Sequence, residues 1–158
     1  MKKNKPAEIF PTSSKSSSAE LAYQSVIRLL ARRDHSLKEL QQKLSRRFTP
    51  EAARAALARA QERKYLRSPE ELSRIVSEAL HARTKSLRHI QMELKKRGLP
   101  PAPIDTDREK SKCREQLLRK FGEIGPQGSA ERVKAYRYLT YRGFDPETIN
   151  SVLKNKSE

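Results

Sequence analysis

Basic side chains recur in clusters along the chain, and their type and spacing favour contacts with a polyanion. The protein has 158 residues, with 35 Lys and Arg against 19 Asp and Glu and a formal net charge of +16. Cationic side chains attract phosphate backbones with an affinity that depends on salt, so we predict a nucleic acid or nucleoprotein partner. The candidate contact residues are Arg32, Arg33, Lys43, Arg46, Arg47, Arg83, Lys85, Arg88, Lys95, Lys96, Arg97, Arg137 and Arg142.

Most of these cations fall at the ends of predicted helices, which leaves two interpretations open. If repeated units stack in a similar orientation, the clusters form a polyanion-facing ridge. Alternatively, each cluster stabilises the helix dipole, a local effect worth about 0.3–1 kcal/mol. Both interpretations can hold together.

Other residues with chemical potential are few. The chain contains one cysteine, Cys113, and three histidines, His35, His81 and His89, with no spacing typical of metal ligands. We predict that Cys113 is a core residue and that the histidines are surface or boundary residues. The sequence has no Walker-type loop, nucleophile elbow, HExxH motif or CxxC pair. We therefore predict no enzymatic activity, no metal and no cofactor.

Composition also bears on the compartment. A single cysteine suits a reducing environment, and no apolar run approaches the roughly 18 residues of a membrane span. Residues 1–18 are rich in Lys, Ser, Thr and Pro and have no hydrophobic stretch of a secretory signal, so we predict a disordered basic tail. We expect a cytoplasmic, monomeric protein without a membrane partner.

Helical periodicity begins directly after this tail. Ser36 with Glu39 has the spacing of a capping box, and Thr49 before Pro50 is typical of another helix start. The first apolar stripe has the spacing i, i+3, i+4, i+7 of one helix face and consists of Tyr23, Val26, Ile27 and Leu30.

The same pattern recurs fifty residues later. The matched pairs are Leu30 and Leu80, Arg33 and Arg83, Ser36 and Ser86, Leu37 and Leu87, Leu40 and Ile90, Leu44 and Leu94, and Arg47 and Arg97. A constant offset of this kind indicates stacked structural units. In a third copy, Gly143 matches Gly98 as the glycine just after a helix. We predict an all-α fold of eight to nine short helices in three tandem three-helix repeats, at residues 19–66, 67–106 and 107–158.

The second repeat departs from this scheme at its third helix. Pro100, Pro101 and Pro103 stand where that helix should begin. Proline lacks the backbone donor of a helix and clashes with the preceding turn. We therefore expect a shortened turn or an extended linker there.

Three segments resemble the RecX family of bacterial regulators: LLARRDHSLKELQQKL, SLRHIQMELKKRGL and AYRYLTYRGFDPETINSVL. The resemblance spans residues 20–154, and its most specific residues are Tyr138, Leu139, Arg142, Gly143, Phe144 and Ile149. It implies a curved, elongated array of three-helix repeats and a non-enzymatic regulator of homologous recombination, DNA repair and the SOS response. It also implies binding to the RecA filament on single-stranded DNA, inhibition of its ATPase and strand exchange, and basic residues that face the filament. Double-stranded DNA is a second nucleic acid left open.

Other interpretations of the same residues stay open. The first repeat alone is typical of a helix-turn-helix or winged-helix DNA-binding module, but a wing requires a β-hairpin after Leu66, where Ser68 and Pro69 predict a further helix. A basic helical protein that binds nucleic acid without a recombinase partner is the other alternative. At Leu66–Leu72 the chain also lacks the acidic segment that is usual in the RecX family.

Overall fold

The computed structural model of the protein describes residues 14–154, which contain eight α-helices. These are α1 (Ala19–Leu30), α2 (Leu37–Leu44), α3 (Pro50–Glu62), α4 (Pro69–His81), α5 (Leu87–Arg97), α6 (Thr106–Phe121), α7 (Gly128–Tyr141) and α8 (Pro146–Lys154). The all-α prediction is confirmed, and the helix number agrees with the eight to nine expected.

Side-chain caps fix the starts of most helices, as the sequence predicted. The hydroxyl of Ser36 accepts a hydrogen bond from the backbone N–H of Glu39 at 3.2 Å, and the Glu39 carboxylate accepts one from the Ser36 N–H at 2.9 Å. This reciprocal capping box satisfies two backbone donors that a helix N-terminus otherwise leaves unpaired. The other capping side chains are those of Ser18, Thr49, Ser68, Ser86 and Asp105.

The chain divides into two compact units, Met1–Leu66 and Arg67–Glu158. In the first unit, α1, α2 and α3 enclose one core. Small side chains on α3 let its backbone approach α1 closely. Ile27, predicted on the buried face of α1, is instead exposed, since Ala22 and Val26 face the core. The buried core residues are Ala22, Tyr23, Val26, Leu40, Leu44, Phe48, Ala52, Ala53, Ala56, Leu57 and Ala60.

The end of the predicted tail contacts the turn after α2. Ser16 forms a parallel β-bridge with Phe48, because its N–H donates to the Arg47 carbonyl and its carbonyl accepts from the Thr49 N–H, both at 2.9 Å. Ser18 then caps α1. Ser16 and Ser18 therefore have hydrogen-bond partners within the segment predicted as a disordered tail, and disorder of that segment stays a prediction. For residues 1–13 it lies outside the described residues.

The second unit contains two apolar clusters. Cys113 is fully buried in the cluster of α6, α7 and α8, as predicted from its place on an apolar stripe. That cluster consists of Cys113, Leu117, Ala135, Leu139, Phe144, Ile149 and Val152. The cluster of α4 and α5 consists of Leu72, Val76, Ile90, Leu94, Leu99 and Ala102. The division of this unit into repeats at residues 67–106 and 107–158 stays a prediction.

Residues 98–105, here called the proline segment, contain no helix, as the three prolines predicted. Gly98 ends α5 in the left-handed conformation, with φ 68° and ψ 34°. The Gln91 side chain then holds the segment at two points: its amide donates to the Ala102 carbonyl at 2.7 Å, and its oxygen accepts from the Ala102 N–H at 3.1 Å. The Ser73 hydroxyl donates to the Pro100 carbonyl at 2.7 Å. Side-chain hydrogen bonds thus replace those of the absent helix.

Candidate nucleic-acid and filament interface

In the first unit, the ends of α1 and α2 bring four cations together. These cations surround a cleft of about 340 Å³ and are here called the basic cleft: Arg28, Arg32, Lys43 and Arg47. Leu29, Leu44 and Phe48 supply its apolar lining. Arg28 and Lys43 lie in the last turns of α1 and α2. Arg32 and Arg47 lie just beyond the ends of these two helices.

The basic cleft is electrostatically uncompensated. Its lining, all within the described part of the chain, includes no acidic residue. All four cationic residues are exposed. No ion pair involves any of the four within residues 14–154, although the Arg28 Nε donates to the Gln24 carbonyl at 3.3 Å. Unpaired cations over an apolar floor can hold a phosphate backbone while sugar or base contacts the floor.

The sequence predicted three of these four cations and missed Arg28. The i, i+4 spacing from Arg28 to Arg32, which lies just past the end of α1, could have identified it. Arg46 is exposed but does not line the cleft. Arg33 is engaged elsewhere, since it pairs with Glu39 at 2.8 Å and donates to the Asp34 carbonyl at 2.8 Å. Arg33 therefore connects the turn before α2 to the first turn of that helix.

In the second unit, Arg88 and Lys95 line a larger cleft of about 670 Å³, here called the α5 cleft. One wall is α5, a second is the end of the proline segment with the start of α6, and a third is the turn between α7 and α8. Leu87, Met92 and Phe144 contribute apolar surface to it. The cleft thus combines apolar walls with two cations on one helix face.

The other predicted cations of this unit lie outside the α5 cleft. Arg97 is ion-paired with Glu93 at 2.9 Å, one turn back on α5. The Arg142 guanidinium lies over the Tyr138 ring, 5.2 Å from its centroid, in a cation–π contact. Lys85 is half-buried, and the residues that remain exposed are Arg83, Lys96 and Arg137. The structure therefore gathers two of these cations at the cleft and engages others within the fold.

A buried ion pair near the α5 cleft was not predicted. Lys112 Nζ lies 2.6 Å from the Glu109 carboxylate, and the two side chains are only 6% and 7% exposed. Glu109 also accepts from the Leu87 N–H at 2.8 Å, and Lys112 donates to the Lys85 carbonyl at 2.6 Å. The pair joins α6 to the turn that precedes α5. Its i, i+3 spacing in the sequence is equally typical of two solvated charges.

A second polar chain also joins α6 to the turn that precedes α5. The Gln116 amide donates to the Thr84 hydroxyl, and the Tyr138 hydroxyl donates to the Gln116 oxygen at 3.1 Å. Phe121 packs edge-to-face on the Tyr138 ring at a centroid distance of 6.2 Å. Tyr138 is therefore half-buried against the cluster of α6, α7 and α8, whereas Tyr141 is exposed.

His35 is buried, contrary to the prediction of a surface or boundary histidine. Desolvation lowers the pKa of His35, whose Nδ1 lies 2.9 Å from the Arg33 carbonyl, and also that of His81, which lies near the cations Lys112 and Arg108. Burial raises the pKa of the Cys113 thiol to about 12. Among residues 14–154, no group of three or more His, Cys, Asp or Glu side chains is placed to hold a metal ion.

Comparison with known proteins decides the family. A profile of the RecX first three-helix domain matches residues 22–59, and a profile of the third matches residues 107–153. Regulatory protein RecX of Stenotrophomonas maltophilia (strain K279a) is 35% identical over 154 residues, which cover 90% of this chain and 92% of the relative. This chain belongs to the RecX family.

Other RecX proteins agree with this assignment. Regulatory protein RecX of Salmonella newport (strain SL254) is 32% identical over 164 aligned positions, covering 92% of this chain and 96% of the relative. The crystal structure of RecX from Lactobacillus salivarius matches with a TM-score of 0.71 at 15% identity and covers 87% of this chain and 96% of that one. The RecX fold therefore extends over most of the chain.

The winged-helix alternative is not supported. A wing would need a β-hairpin after Leu66, but α4 begins at Pro69, and no hairpin occurs in the described residues. None of the described helices has the length and apolar character needed to cross a bilayer.

Proposed function

We propose that this RecX-family protein binds the RecA filament on single-stranded DNA and inhibits its ATPase activity and strand exchange during DNA repair and the SOS response. The observation that carries this proposal is the 35% identity, over 90% of the chain, to a protein named regulatory protein RecX. The relatives are regulatory proteins by name, which agrees with a role based on binding rather than catalysis. We further propose that the protein acts as a cytoplasmic monomer.

The basic cleft supports the nucleic-acid part of the proposal. Four exposed cations without an acidic neighbour in the cleft release counterions when they bind phosphates, so the affinity should fall steeply with salt. A single cleft of this size gives weak binding. Contacts by several repeats along one filament would add up through high effective concentration, so that the filament is bound more tightly than by one cleft alone.

The test is the single-stranded-DNA-dependent ATPase of the cognate RecA with increasing amounts of this protein. We expect suppression at well below one molecule per recombinase protomer. Arg32→Gln with Arg47→Gln removes two cations of the basic cleft and should weaken suppression. The matched control is Lys38→Gln with Lys64→Gln, which removes two exposed cations of the same unit outside the cleft.

Two results would contradict the proposal. Equal suppression by both double variants would remove the basic cleft from the mechanism. No suppression by the wild-type protein, together with salt-sensitive binding to bare nucleic acid, would favour the alternative of a basic helical nucleic-acid-binding protein without a recombinase partner.

A further inference from the structure

The second unit has a further groove, between α7 and α8. Its volume is about 310 Å³, at the lower end of the range of about 300–1,000 Å³ that is typical of ligand sites. Val133 is exposed there, whereas Tyr136 and Leu153 pack partly against the cluster of α6, α7 and α8. The residues that line this groove, here called the α7–α8 groove, are Arg132, Val133, Tyr136, Asn150, Leu153 and Lys154.

Each of the two helices presents one face to the groove. On α8, Asn150, Leu153 and Lys154 have the spacing i, i+3, i+4 of one helix face. On α7, Arg132 and Tyr136 lie one turn apart. The groove therefore combines aromatic and apolar surface with two cations and one side-chain amide.

The charged groups of the α7–α8 groove have one sign. Its lining, all within the described part of the chain, contains two cations and no carboxylate. The acidic residue nearest in sequence is Glu131, which lies outside the lining, so cations remain in excess even when it is counted. The α5 cleft differs, because three carboxylates line it against two cations. Of these two surfaces, the α7–α8 groove is therefore the one that attracts a polyanion.

The polar groups of the groove are available to a ligand. Within residues 14–154, no hydrogen bond involves the Tyr136 hydroxyl or the Asn150 side chain, and Lys154 forms no ion pair. The Asn150 amide has both donors and an acceptor, as the edges of nucleobases also have. Proteins bind unpaired nucleotides with this set of groups, in which an aromatic ring and an amide contact the base and cations contact the backbone.

We infer that the α7–α8 groove binds one unpaired nucleotide of a single-stranded nucleic acid. The base stacks on the Tyr136 ring, and the Asn150 amide forms hydrogen bonds with its edge. Arg132 and Lys154 contact the phosphates on either side. A duplex keeps its bases stacked inside, so the ligand is a single strand. The inference rests on the proposed function because its ligand is the single-stranded DNA of that proposal, but it involves no residue of the basic cleft.

Tryptophan fluorescence gives a direct test, because the chain contains no tryptophan. Tyr136→Trp places an indole in the groove, and stacking on a base quenches indole fluorescence. The matched control is Tyr141→Trp on the same helix, where the native side chain is 90% exposed and does not line the groove. Both full-length variants are titrated with single-stranded oligothymidylate, with an abasic strand of equal length, and with a duplex that contains the same thymidylate strand.

We expect oligothymidylate to quench the Tyr136→Trp variant strongly and the Tyr141→Trp variant weakly, with little quenching of either by the abasic strand or the duplex. Fluorescence anisotropy of labelled oligothymidylate measures the affinity. Tyr136→Leu should lower this affinity about fivefold or more, because the stack on one base is lost. Tyr136→Phe should retain it, since the aromatic ring remains.

The salt dependence of binding gives a second comparison that leaves the core untouched. Lys154 and Lys134 are both exposed, but only Lys154 lines the groove. Lys154→Gln should lower the slope of log affinity against log salt by about one, as expected for one lost phosphate contact. Lys134→Gln should lower the slope less.

The alternative outcomes are distinguishable. Equal quenching of the two tryptophan variants, or equal quenching by the single strand and the duplex, overturns the inference while the proposed function stands. Quenching that requires DNA coated with RecA also overturns it, since a protein segment then occupies the groove. A wild-type protein that binds no single-stranded DNA, bare or coated, overturns the proposed function itself, and the inference with it.

Discussion

Two regions of the molecule share one sequence pattern: the region of α1, α2 and α3, and the region of α4, α5 and the proline segment. A different element covers the core in each region. Leu44 and Leu94 occupy equivalent positions, and both are buried. The first region is closed by α3, whereas the second is closed by the proline segment, which Gln91 and Ser73 hold. A repeat can thus lose a helix and keep its core, provided that side chains supply the lost hydrogen bonds.

The difference also changes the surface. Gln41 and Gln91 are equivalent by the repeat, and Gln41 lines a cavity of about 220 Å³ while Gln91 lines one of about 670 Å³. Ser45 of the smaller cavity corresponds to Lys95 of the larger one. Replacement of the helix by the proline segment therefore coincides with a wider cleft, and with Lys95 at the position that Ser45 has in the first region.

The largest expected effect concerns how the second region is attached to α6. Lys112→Met leaves the Glu109 carboxylate buried without its counter-charge, so we expect a loss of about 3–5 kcal/mol in the free energy of unfolding. The first region offers a matched i, i+3 pair, Glu51 and Arg54, which is exposed. Arg54→Met should cost less than about 1 kcal/mol. Urea denaturation measures both, and similar losses would contradict the contrast.

The next effect compares the stability of a core covered by a helix with that of a core covered by the proline segment. Leu44→Ala and Leu94→Ala each remove a fully buried side chain, and we expect losses of about 2–5 kcal/mol in unfolding free energy. The cost should be higher for Leu44, because α3 cannot settle into the cavity as easily as an extended segment can. Urea denaturation of the two variants gives the order. A larger loss for Leu94→Ala would reverse the comparison.

Two glycines allow a smaller and more local test. Gly98 and Gly143 both have positive φ, 68° and 90°, so alanine should cost about 1–2 kcal/mol at either position from backbone strain. At Gly143 a Cβ would also lie 2.7 Å from the Ser86 Oγ. That oxygen caps α5 by accepting from the His89 N–H, so it cannot move without loss of the cap. Thermal unfolding should show a lower Tm for Gly143→Ala than for Gly98→Ala.

The smallest expected effect is a pH dependence of the stability contributed by the cap at the start of α8. The helices of the two compared regions are capped by Ser or Thr hydroxyls, which do not titrate there, whereas Asp145 precedes α8. Burial opposes ionisation of Asp145, but hydrogen bonds led by those from Thr148 outweigh it and lower its pKa.

Because folding lowers the pKa of Asp145, its stabilising effect is fully present at pH above the pKa of the unfolded state. It is lost as the pH falls through the lower pKa of the folded state. Asp145→Asn keeps a capping side chain without the charge, so the variant should lose less stability than wild type between neutral and acidic pH, by about 1 kcal/mol or less. Urea midpoints across this pH range measure it. If the urea midpoints of the two proteins change with pH in parallel, Asp145 is not the source of the acid sensitivity.

Local sequence signals predicted the parts of the fold that depend on neighbours in the chain. The capping box at Ser36 and Glu39 and the break at the prolines needed only short-range chemistry. The buried ion pair did not follow from spacing, since its burial depends on backbone atoms of Lys85 and Leu87, more than twenty positions away. Likewise, only the fold shows that Arg33 is engaged by Glu39.

The two hydrogen bonds between Gln91 and Ala102 also have a consequence for backbone dynamics. Amides outside helices usually exchange rapidly with solvent, because little opening is needed to expose them. The Ala102 amide is buried and bonded to a side chain anchored on α5, so its exchange requires that α5 and the segment separate. It should therefore exchange more slowly than the exposed amides of Ile104 and Asp105 in the same segment, and its protection would report how often the wall of the α5 cleft opens.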